Sequence, residues 1–183
     1  MQERTACFTG HREIPFFQSF SIRKKLKKTL QELIKEGYCY FGAGGALGFD
    51  TIAAQTVLDL RKKYPHIKLI LVLPCITQAD RWNKNDIEIY EYIKEQADKV
   101  VYISNQYTNG CMHKRNRHLV DNSSVCICYL TKRTGGTAYT VNYALDKGLR
   151  VLNMVEKQKN RRPVYEASES KHSREVPYST KTC

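Results

Sequence analysis

The sequence lacks any apolar run long enough to cross a membrane. Its longest such run, residues 67–76, contains Lys68 and Pro74 and reaches only about half of the roughly 20 residues that a spanning helix needs. The first residues also lack the charged, apolar and small-residue regions of a secretory signal peptide. We therefore expect a cytoplasmic protein with no membrane partner.

Cysteine pairs with metal-ligand spacing are also lacking, although the chain contains seven cysteines. No CxxC pair is present, and Cys126 and Cys128 alternate within an apolar run that is typical of a strand. These observations favour reduced, mostly buried thiols. We expect no metal site, and a redox or metal role is the less favoured alternative.

Acidic residues are scarce beside basic ones, since 18 Asp and Glu face 30 Lys and Arg and leave a formal net charge of +12. Long-range attraction then favours phosphorylated or polyanionic partners. The charge alone does not single out nucleic acid among them.

The chain shows no internal repeat, and its 183 residues suffice for one sizeable core but not for two. Beyond residue 155 the apolar periodicity ends, and the composition turns to Lys, Arg, Glu, Ser, Thr and Pro, which cannot offset the entropy of ordering. We predict one domain over residues 1–155 and a basic, flexible tail over 156–183. Val164 and Tyr165 are the tail residues best suited to docking on the domain.

Short apolar runs alternate with longer segments of helical periodicity over the first 155 residues, which is typical of a parallel sheet covered by helices. The run Ile67–Leu73 is almost continuously apolar and predicts a central strand covered on both faces. The predicted fold class is therefore α/β, a single domain with a doubly wound, mainly parallel, Rossmann-like sheet. The predicted strands are Ala6–Thr9, Tyr38–Gly42, Ile67–Leu73, Lys99–Ser104, Val125–Leu130 and Val151–Met154. Helices are predicted around residues 26–34, with Gly37 as the stop, 53–64, 87–97 and 138–145.

Unusual polar and glycine-rich segments fall just after the predicted strands. The carboxyl ends of parallel strands meet at one edge of a sheet, and ligands of open α/β folds bind there. Glycines let the backbone approach a ligand closely, and free N–H groups at a helix start favour anions. The candidate ligand-binding residues are Thr9, Gly10, His11, Arg12, Gly42, Gly44, Gly45, Asp50, Trp82, Ser104, Arg115, Asn116, Thr131, Gly135, Gly136 and Thr137.

Two of these segments, residues 42–50 and 131–137, are glycine-rich turns between a strand and a helix. Each predicts an anion cradle, and two cradles on one edge indicate a nucleotide or diphosphate ligand. Several residues keep a second interpretation. Asp50 either caps the following helix or accepts a ribose hydroxyl, and Trp82 either stacks on a base or packs in the core. The turn Thr9–Arg12 either binds phosphate or is merely solvated.

These segments resemble the SLOG superfamily, which includes Smf/DprA-like and LOG-like members, and most of all its YpsA-like branch. The resemblance covers about residues 5–155. Its motifs are Thr9-Gly10-His11-Arg12, residues 42–50, Gly110-Cys111-Met112, Arg115-Asn116-Arg117 and Gly135-Gly136-Thr137. It implies a Rossmann-type fold and, because relatives with this fold commonly self-associate, a homo-oligomer.

LOG-type members cleave the ribose phosphate from nucleoside monophosphates, using a Met-His-x-Arg segment and a Gly-Gly helix start followed by a glutamate. The segment Met112–Arg115 matches the first motif, which favours Arg115 over Arg117. Counting from Gly135 and Gly136, Asn142 stands where the glutamate is expected, and an amide cannot replace a carboxylate in glycosidic cleavage. Catalysis is therefore uncertain. The candidate catalytic residues are Arg115, Asp50 and Asp121.

DprA-type members bind single-stranded DNA, and their Gly-Leu-Ala-Arg-Gly-Ile-Asp turn resembles residues 45–50. The chain shows no clear array of basic residues interleaved with aromatics outside the loops after the strands, so nucleic acid is the less favoured partner. Other SLOG domains are thought to recognise NAD-derived or cyclic nucleotide signals, which implies an ADP-ribose-like ligand.

The resulting hypothesis is a domain that binds a nucleotide-derived small molecule as a sensor, regulator or sequestering protein, with no cofactor assigned other than a bound nucleotide. Phosphates would meet the two glycine-rich turns, Arg12 and Arg115 would pair with their charge, and Asp50 would hold a ribose hydroxyl. Nucleotide N-glycoside hydrolysis and binding of single-stranded nucleic acid are the alternatives.

Overall fold

The computed structural model describes residues 2–155, in which six strands and five α-helices alternate. The strands are β1 (Thr5–Gly10), β2 (Tyr40–Ala43), β3 (Lys68–Leu73), β4 (Lys99–Tyr102), β5 (Val125–Tyr129) and β6 (Arg150–Asn153). The helices are α1 (Phe16–Lys35), α2 (Phe49–Arg61), α3 (Lys84–Gln96), α4 (Cys111–Asp121) and α5 (Gly136–Asp146). Short 3-10 turns lie at Gln2–Arg4 and Ile76–Ala79.

All strand pairs are parallel, and the sheet has the order β4-β3-β2-β1-β5-β6. The predicted parallel, Rossmann-like α/β fold is confirmed, and so is the interior position of β3, which lies between β2 and β4. The predicted tail and its Val164 and Tyr165 lie outside the described residues. None of the helices within residues 2–155 is long and apolar enough to cross a membrane.

The end of α1 shows why one strand boundary was wrong. Gly37, the predicted stop, follows the helix with a φ of 94°, and the Tyr38 amide donates to the Leu33 carbonyl. That bond satisfies a carbonyl that the last helical turn leaves without a partner. Tyr38 therefore completes the helix end, and β2 begins at Tyr40 rather than at Tyr38.

The core lies on both faces of the sheet because side chains alternate along each strand. Phe8 points to the face covered by α1, α2 and α3, where it packs with Phe41 and Phe49. Its neighbour Cys7 points to the face covered by α4 and α5, beside Cys126. The central strands are buried on both faces, which explains their nearly continuous apolar sequence.

The strand order reverses at β1. The chain builds the sheet outward from β1 to β4, and α4 then carries it back across the second face to β5, on the other side of β1. The connections after β1 and β5 therefore leave toward opposite faces. Such a switch point opens a crevice at the carboxyl ends of the two strands, where open α/β sheets bind their ligands.

Asp98 stabilises the opposite, amino-terminal edge of the sheet. Its carboxylate accepts hydrogen bonds from the Leu69 amide at 2.9 Å, Lys68 Nζ at 3.0 Å and Arg61 Nη1 at 2.9 Å. Partial burial alone would raise the pKa of Asp98, but the hydrogen bonds from Leu69 and Lys68 and the charges of Lys68 and Arg61 hold it below its usual value.

We expect Asp98→Asn to lower the free energy of unfolding by about 1 kcal/mol, since the site is partly exposed and water screens its ion pairs. A carboxyl group whose pKa is lowered by folding stabilises the fold at pH values above its pKa in the unfolded chain. That stabilisation is lost as the pH falls. The difference between wild type and variant should therefore shrink below about pH 4. Urea unfolding across pH measures it, and a difference that grows in acid would contradict this assignment.

The six cysteines within residues 2–155 are all buried. Their burial confirms that part of the prediction. The Cys7 side chain beside Cys126, together with burial, raises the pKa of the Cys126 thiol, and burial raises that of Cys128 to about 12. The thiolate forms of Cys126 and Cys128 are therefore scarce at neutral pH.

A Cys183→Ser variant should accordingly show no fast-reacting thiol when native and six in guanidinium. Titration with a chromogenic disulfide measures both states, and the denatured count serves as the control. Rapid reaction of any of the six thiols in the native protein would contradict the burial described for them.

Candidate functional site

Two adjoining clefts open at the switch point between β1 and β5. The narrower one, of about 290 Å³, is lined by Phe8, Thr9, Gly10, His11, Arg12, Ala46, Asp50, Met112, Arg115, Asn116, Gly136 and Thr137. The wider one, of about 920 Å³, is lined by His11, Arg12, Glu13, Ile14, Pro15, Gln18, Tyr129, Thr131 and Lys132. His11 and Arg12 belong to both, so the clefts are continuous.

A buried ion pair forms the floor of the narrower cleft. Asp50 and Arg115 are only 5% and 7% exposed, and Asp50 Oδ2 lies 3.8 Å from Arg115 Nη1. Arg115 also donates to the Gly44 carbonyl and, from Nε, to Asn116 Oδ1 at 2.7 Å. Asp50 Oδ2 accepts from the Gly44 and Ala46 amides at 3.1 and 3.3 Å. Each buried charge thus has several partners.

Burial governs the protonation of this pair. Removal from water raises the pKa of the Asp50 carboxyl and lowers that of the Arg115 guanidinium, while each charge opposes the shift of the other. The contacts to Gly44 and Ala46 also favour the carboxylate. Arg117, two residues further along α4, is exposed and lies on another side of the helix from Arg115.

The loop between β2 and α2 uses its glycines for packing. A Cβ on Gly44 would lie 1.6 Å from Arg115 Nη1, and one on Gly45 would lie 2.5 Å from Leu73. Gly42 lies within β2, where a Cβ would approach Leu119 to 2.9 Å. These contacts correct the expectation that this loop presents free amides to phosphate, because the Gly44 amide is already bonded to Asp50.

Asp50 is not the cap of α2. Gly48 occupies that position with a φ of 77°, and Asp50 is the second residue of the helix, folded back onto the loop before it. The cap interpretation is therefore wrong, and Asp50 instead holds the loop closed. It still borders the narrower cleft.

The start of α5 contrasts with that closed loop. Among residues 2–155, no side chain caps the helix at Gly135, and a Cβ on Gly135 or Gly136 would meet no atom within 4 Å. Gly135 has a φ of 93°, a conformation that side chains disfavour. Amides at an uncapped helix start attract anions, and here they border the narrower cleft at Gly136 and Thr137.

The turn after β1 joins the two clefts. Gly10 packs so closely on Phe49 that a Cβ would lie 2.4 Å from it, and the Thr131 amide donates to His11 Nε2 at 3.0 Å. Burial, with a smaller effect from Lys132, lowers the pKa of His11, which keeps Nε2 an acceptor. Arg12 is exposed and makes no hydrogen bond or ion pair with the residues of 2–155.

Three predicted site residues lie elsewhere. Trp82 is half-buried and packs edge-on against Tyr90, with ring centroids 5.3 Å apart, so its core interpretation applies. Ser104 follows the edge strand β4, roughly 14 Å from β1 at the usual strand spacing, and donates to the Gln106 carbonyl. Asp121 ends α4, about 15 Å from its start, and bonds to Tyr143.

Asn142, the α5 residue that stands at the expected glutamate position, lines neither cleft. Asn142 is exposed, whereas Thr140 is buried and accepts a hydrogen bond from Asn116 Nδ2 at 2.8 Å. Thr140 is therefore the α5 residue that supports the site. The side-chain amide of Asn116 is bonded to both Arg115 and Thr140, so it connects α4 to α5 and positions Arg115.

Sequence reasoning missed several residues that line the clefts. Met112 starts α4 and was noted only as part of a motif, while Lys132 was visible as a cation after β5. Gln18 and Tyr129, whose side chains bond at 2.5 Å, carried no sequence signal because a strand end and the first turn of a helix meet only in the fold.

Comparison with known proteins shows similarity in sequence to one family and to several bacterial relatives. A family model named YpsA and described as the YspA SLOG family matches residues 7–174. The uncharacterized SPbeta prophage-derived protein YoqJ of Bacillus subtilis is 30% identical over 136 residues, which cover 67% of this chain and 80% of that protein. A UPF0398 protein of Brevibacillus brevis is 29% identical over 129 residues, or 69% of each chain.

Two solved structures share the fold. The DNA processing protein A (DprA) of Streptococcus pneumoniae has a TM-score of 0.62 at 19% identity, over 86% of this chain and 52% of that one, so this chain spans about half its length. DprA of Helicobacter pylori, described by its single-stranded DNA binding mode, has a TM-score of 0.62 at 16% identity, over 86% of this chain and 68% of that one. At these identities the likeness concerns the fold alone.

We expect Arg115→Ala to lower the free energy of unfolding by about 3–5 kcal/mol, because it leaves the buried Asp50 carboxylate without its counter-ion. Arg117→Ala is the matched control on the exposed side of α4 and should change stability by less than about 0.5 kcal/mol. Urea unfolding at neutral pH compares them. Equal stability of the two variants would show that the ion pair is not buried as described.

Proposed function

The chain belongs to the YspA SLOG family, and on that premise we propose that its domain binds a phosphate-bearing, nucleotide-derived small molecule in the clefts between β1 and β5. We propose that it acts as a sensor, regulator or sequestering protein, with an ADP-ribose-like or cyclic nucleotide ligand. The observation that carries this proposal is the start of α5, which no side chain of residues 2–155 caps, beside an exposed Arg12 at the switch point.

The phosphate site of the proposal is the start of α5. The amides of Gly136 and Thr137 border the narrower cleft, and no side chain from residues 2–155 caps them. Arg12 borders the same cleft and makes no hydrogen bond or ion pair within residues 2–155, so its guanidinium is available to a second phosphate oxygen. This arrangement suits an anion better than a neutral ligand.

The wider cleft offers room for the rest of the ligand. Its volume of about 920 Å³ lies within the range of small-molecule sites, and it meets the phosphate site at His11 and Arg12. Lys132 and Thr131 add a cation and a hydroxyl at its rim. A ligand with two phosphates, or with a phosphate and a ribose, would therefore extend from one cleft into the other.

Binding is favoured over glycoside cleavage by the state of the carboxylates. Two carboxylates line the clefts. Glu13 lines only the wider cleft, and Asp50 lines the narrower one, where its Oδ2 is already held by two amides and by Arg115. General acid-base chemistry needs a carboxyl that exchanges protons with the substrate. In the proposal Asp50 instead keeps the loop closed and offers its other oxygen to a ribose hydroxyl.

Isothermal titration with ADP-ribose, cyclic AMP and inorganic phosphate tests the proposal. For whichever of these ligands binds the wild type, we expect Arg12→Ala to raise the Kd at least about tenfold. That is the effect of losing one charge-assisted hydrogen bond. Arg81→Ala removes an exposed arginine outside both clefts and is the matched control, with unchanged affinity. Unfolding curves check that both variants stay folded.

Two results would contradict the proposal. One is equal affinity of Arg12→Ala and Arg81→Ala, which would place the ligand elsewhere. The other is binding of a thymidine oligonucleotide with a steep salt dependence and no competition by any mononucleotide, which would favour nucleic acid. Sustained release of free base, measured by chromatography, would show that the site hydrolyses its ligand rather than only binding it.

A further inference from the structure

One face of α1 presents three phenylalanines to solvent. Phe16 is 93% exposed, and Phe17 and Phe20 are each 78% exposed. The opposite side of the same helix, including Ile22 and Leu26, is buried in the core. The helix is therefore held firmly by one face while the other carries an apolar cluster that nothing in residues 2–155 covers.

Lysines continue the same face along the helix. Lys24, Lys27 and Lys28 are exposed, and at 3.6 residues per turn they fall with the phenylalanines within about 120° of the helix circumference. We call this surface the aromatic–lysine face, formed by Phe16, Phe17, Phe20, Lys24, Lys27 and Lys28. The first turn carries no acidic residue, and the pair between Lys28 and Glu32, at 3.9 Å, is exposed and weak.

This face corrects an expectation from the sequence. No array of basic residues interleaved with aromatics was evident outside the loops after the strands, because the lysines alternate along the chain with the buried residues of α1. Helical spacing separates the two sets, placing Leu26 and Leu30 inward and the lysines outward. The array becomes visible only when exposure is known.

We propose that the aromatic–lysine face docks on the surface of an anionic phospholipid membrane. Such surfaces bind helices that combine bulky apolar side chains, which enter the boundary of the acyl region, with cations that meet the lipid phosphates. The six side chains span about 18 Å along one side of a single helix, so all can meet the same surface. The net charge of +12 adds attraction to the same surface.

This inference departs from the expectation of no membrane partner. That expectation rested on the absence of a spanning segment, and a docked surface helix needs none. The contact would leave α1 in place on the core and would bury only its outer face.

Shape and charge favour a membrane over other occupants. The three phenylalanines expose roughly 500 Å² together, less than the about 800 Å² that each partner of a stable dimer usually buries. Self-pairing would also bring the lysines of two copies together. Nucleic acid strands stack their bases in grooves, whereas Phe16, Phe17 and Phe20 protrude and line neither cleft.

Co-sedimentation of the full chain with vesicles tests this proposal. On equal parts phosphatidylglycerol and phosphatidylcholine, we expect Phe16→Ser/Phe17→Ser/Phe20→Ser to bind at least about tenfold more weakly than wild type. Tyr92→Ser/Tyr107→Ser removes two exposed aromatics elsewhere and is the matched control, with unchanged binding.

The lysines are tested separately. We expect Lys24→Gln/Lys27→Gln/Lys28→Gln to weaken binding to the same vesicles at least about tenfold, since each cation near an anionic surface adds roughly fivefold. Lys62→Gln/Lys84→Gln/Lys99→Gln changes the net charge equally from other exposed positions and should have a clearly smaller effect. Pure phosphatidylcholine vesicles should bind all forms weakly.

Other outcomes overturn the proposal. They are no binding of wild type to the anionic vesicles, equal binding by the phenylalanine variant and its control, or equal binding by the two lysine variants. Binding of a thymidine oligonucleotide lost in the phenylalanine variant, without vesicle binding, would assign the face to nucleic acid. A dimer in sedimentation that this variant alone abolishes, again without vesicle binding, would assign it to a second copy.

Discussion

The structure depends on satisfying two charges buried at the edge of its sheet. Asp50 and Arg115 are almost completely withdrawn from water, and an unpaired charge so buried would be strongly destabilising. Each is therefore held by the other and by nearby polar groups, which come from the loop after β2 and from α4. The pair thus joins segments that are far apart along the chain, and it requires glycine at position 44, where any side chain would collide with Arg115.

This requirement separates two loops that look alike in sequence. The loop after β2 uses its amides and glycines internally, and Asp50 closes it. The loop after β5 has no such partner within the described residues, and the start of α5 is open there beside Arg12. The proposed phosphate site therefore lies on one loop only. The buried pair of Asp50 and Arg115 forms the floor of the cleft that this loop borders.

Much of the fold was predictable because parallel strands buried on both faces leave almost continuous apolar runs, as in Ile67–Leu73 and Val125–Tyr129. The edge of the sheet that carries the candidate site was predictable as well, because open α/β sheets bind ligands at the carboxyl ends of their strands. Individual roles were harder to predict. Gly44 and Gly136 cannot be distinguished by sequence, because a glycine that admits a neighbouring side chain looks the same as one that admits a ligand. Trp82 and Ser104 follow strands but contact other parts of the fold, and Asp121 lies at the far end of α4. The exposure of Phe16 reflects packing that no local pattern encodes.

An NMR titration of backbone amides with ADP-ribose, followed by inorganic phosphate, tests the central claim that only one glycine loop is free to bind phosphate. The account predicts the largest shifts at Gly135, Gly136 and Thr137, with Arg12 responding and with Gly44 and Ala46 nearly unchanged because their amides remain bonded to Asp50. Shifts centred on Gly44 and Ala46, or the absence of shifts at the start of α5 under saturating ligand, would contradict it.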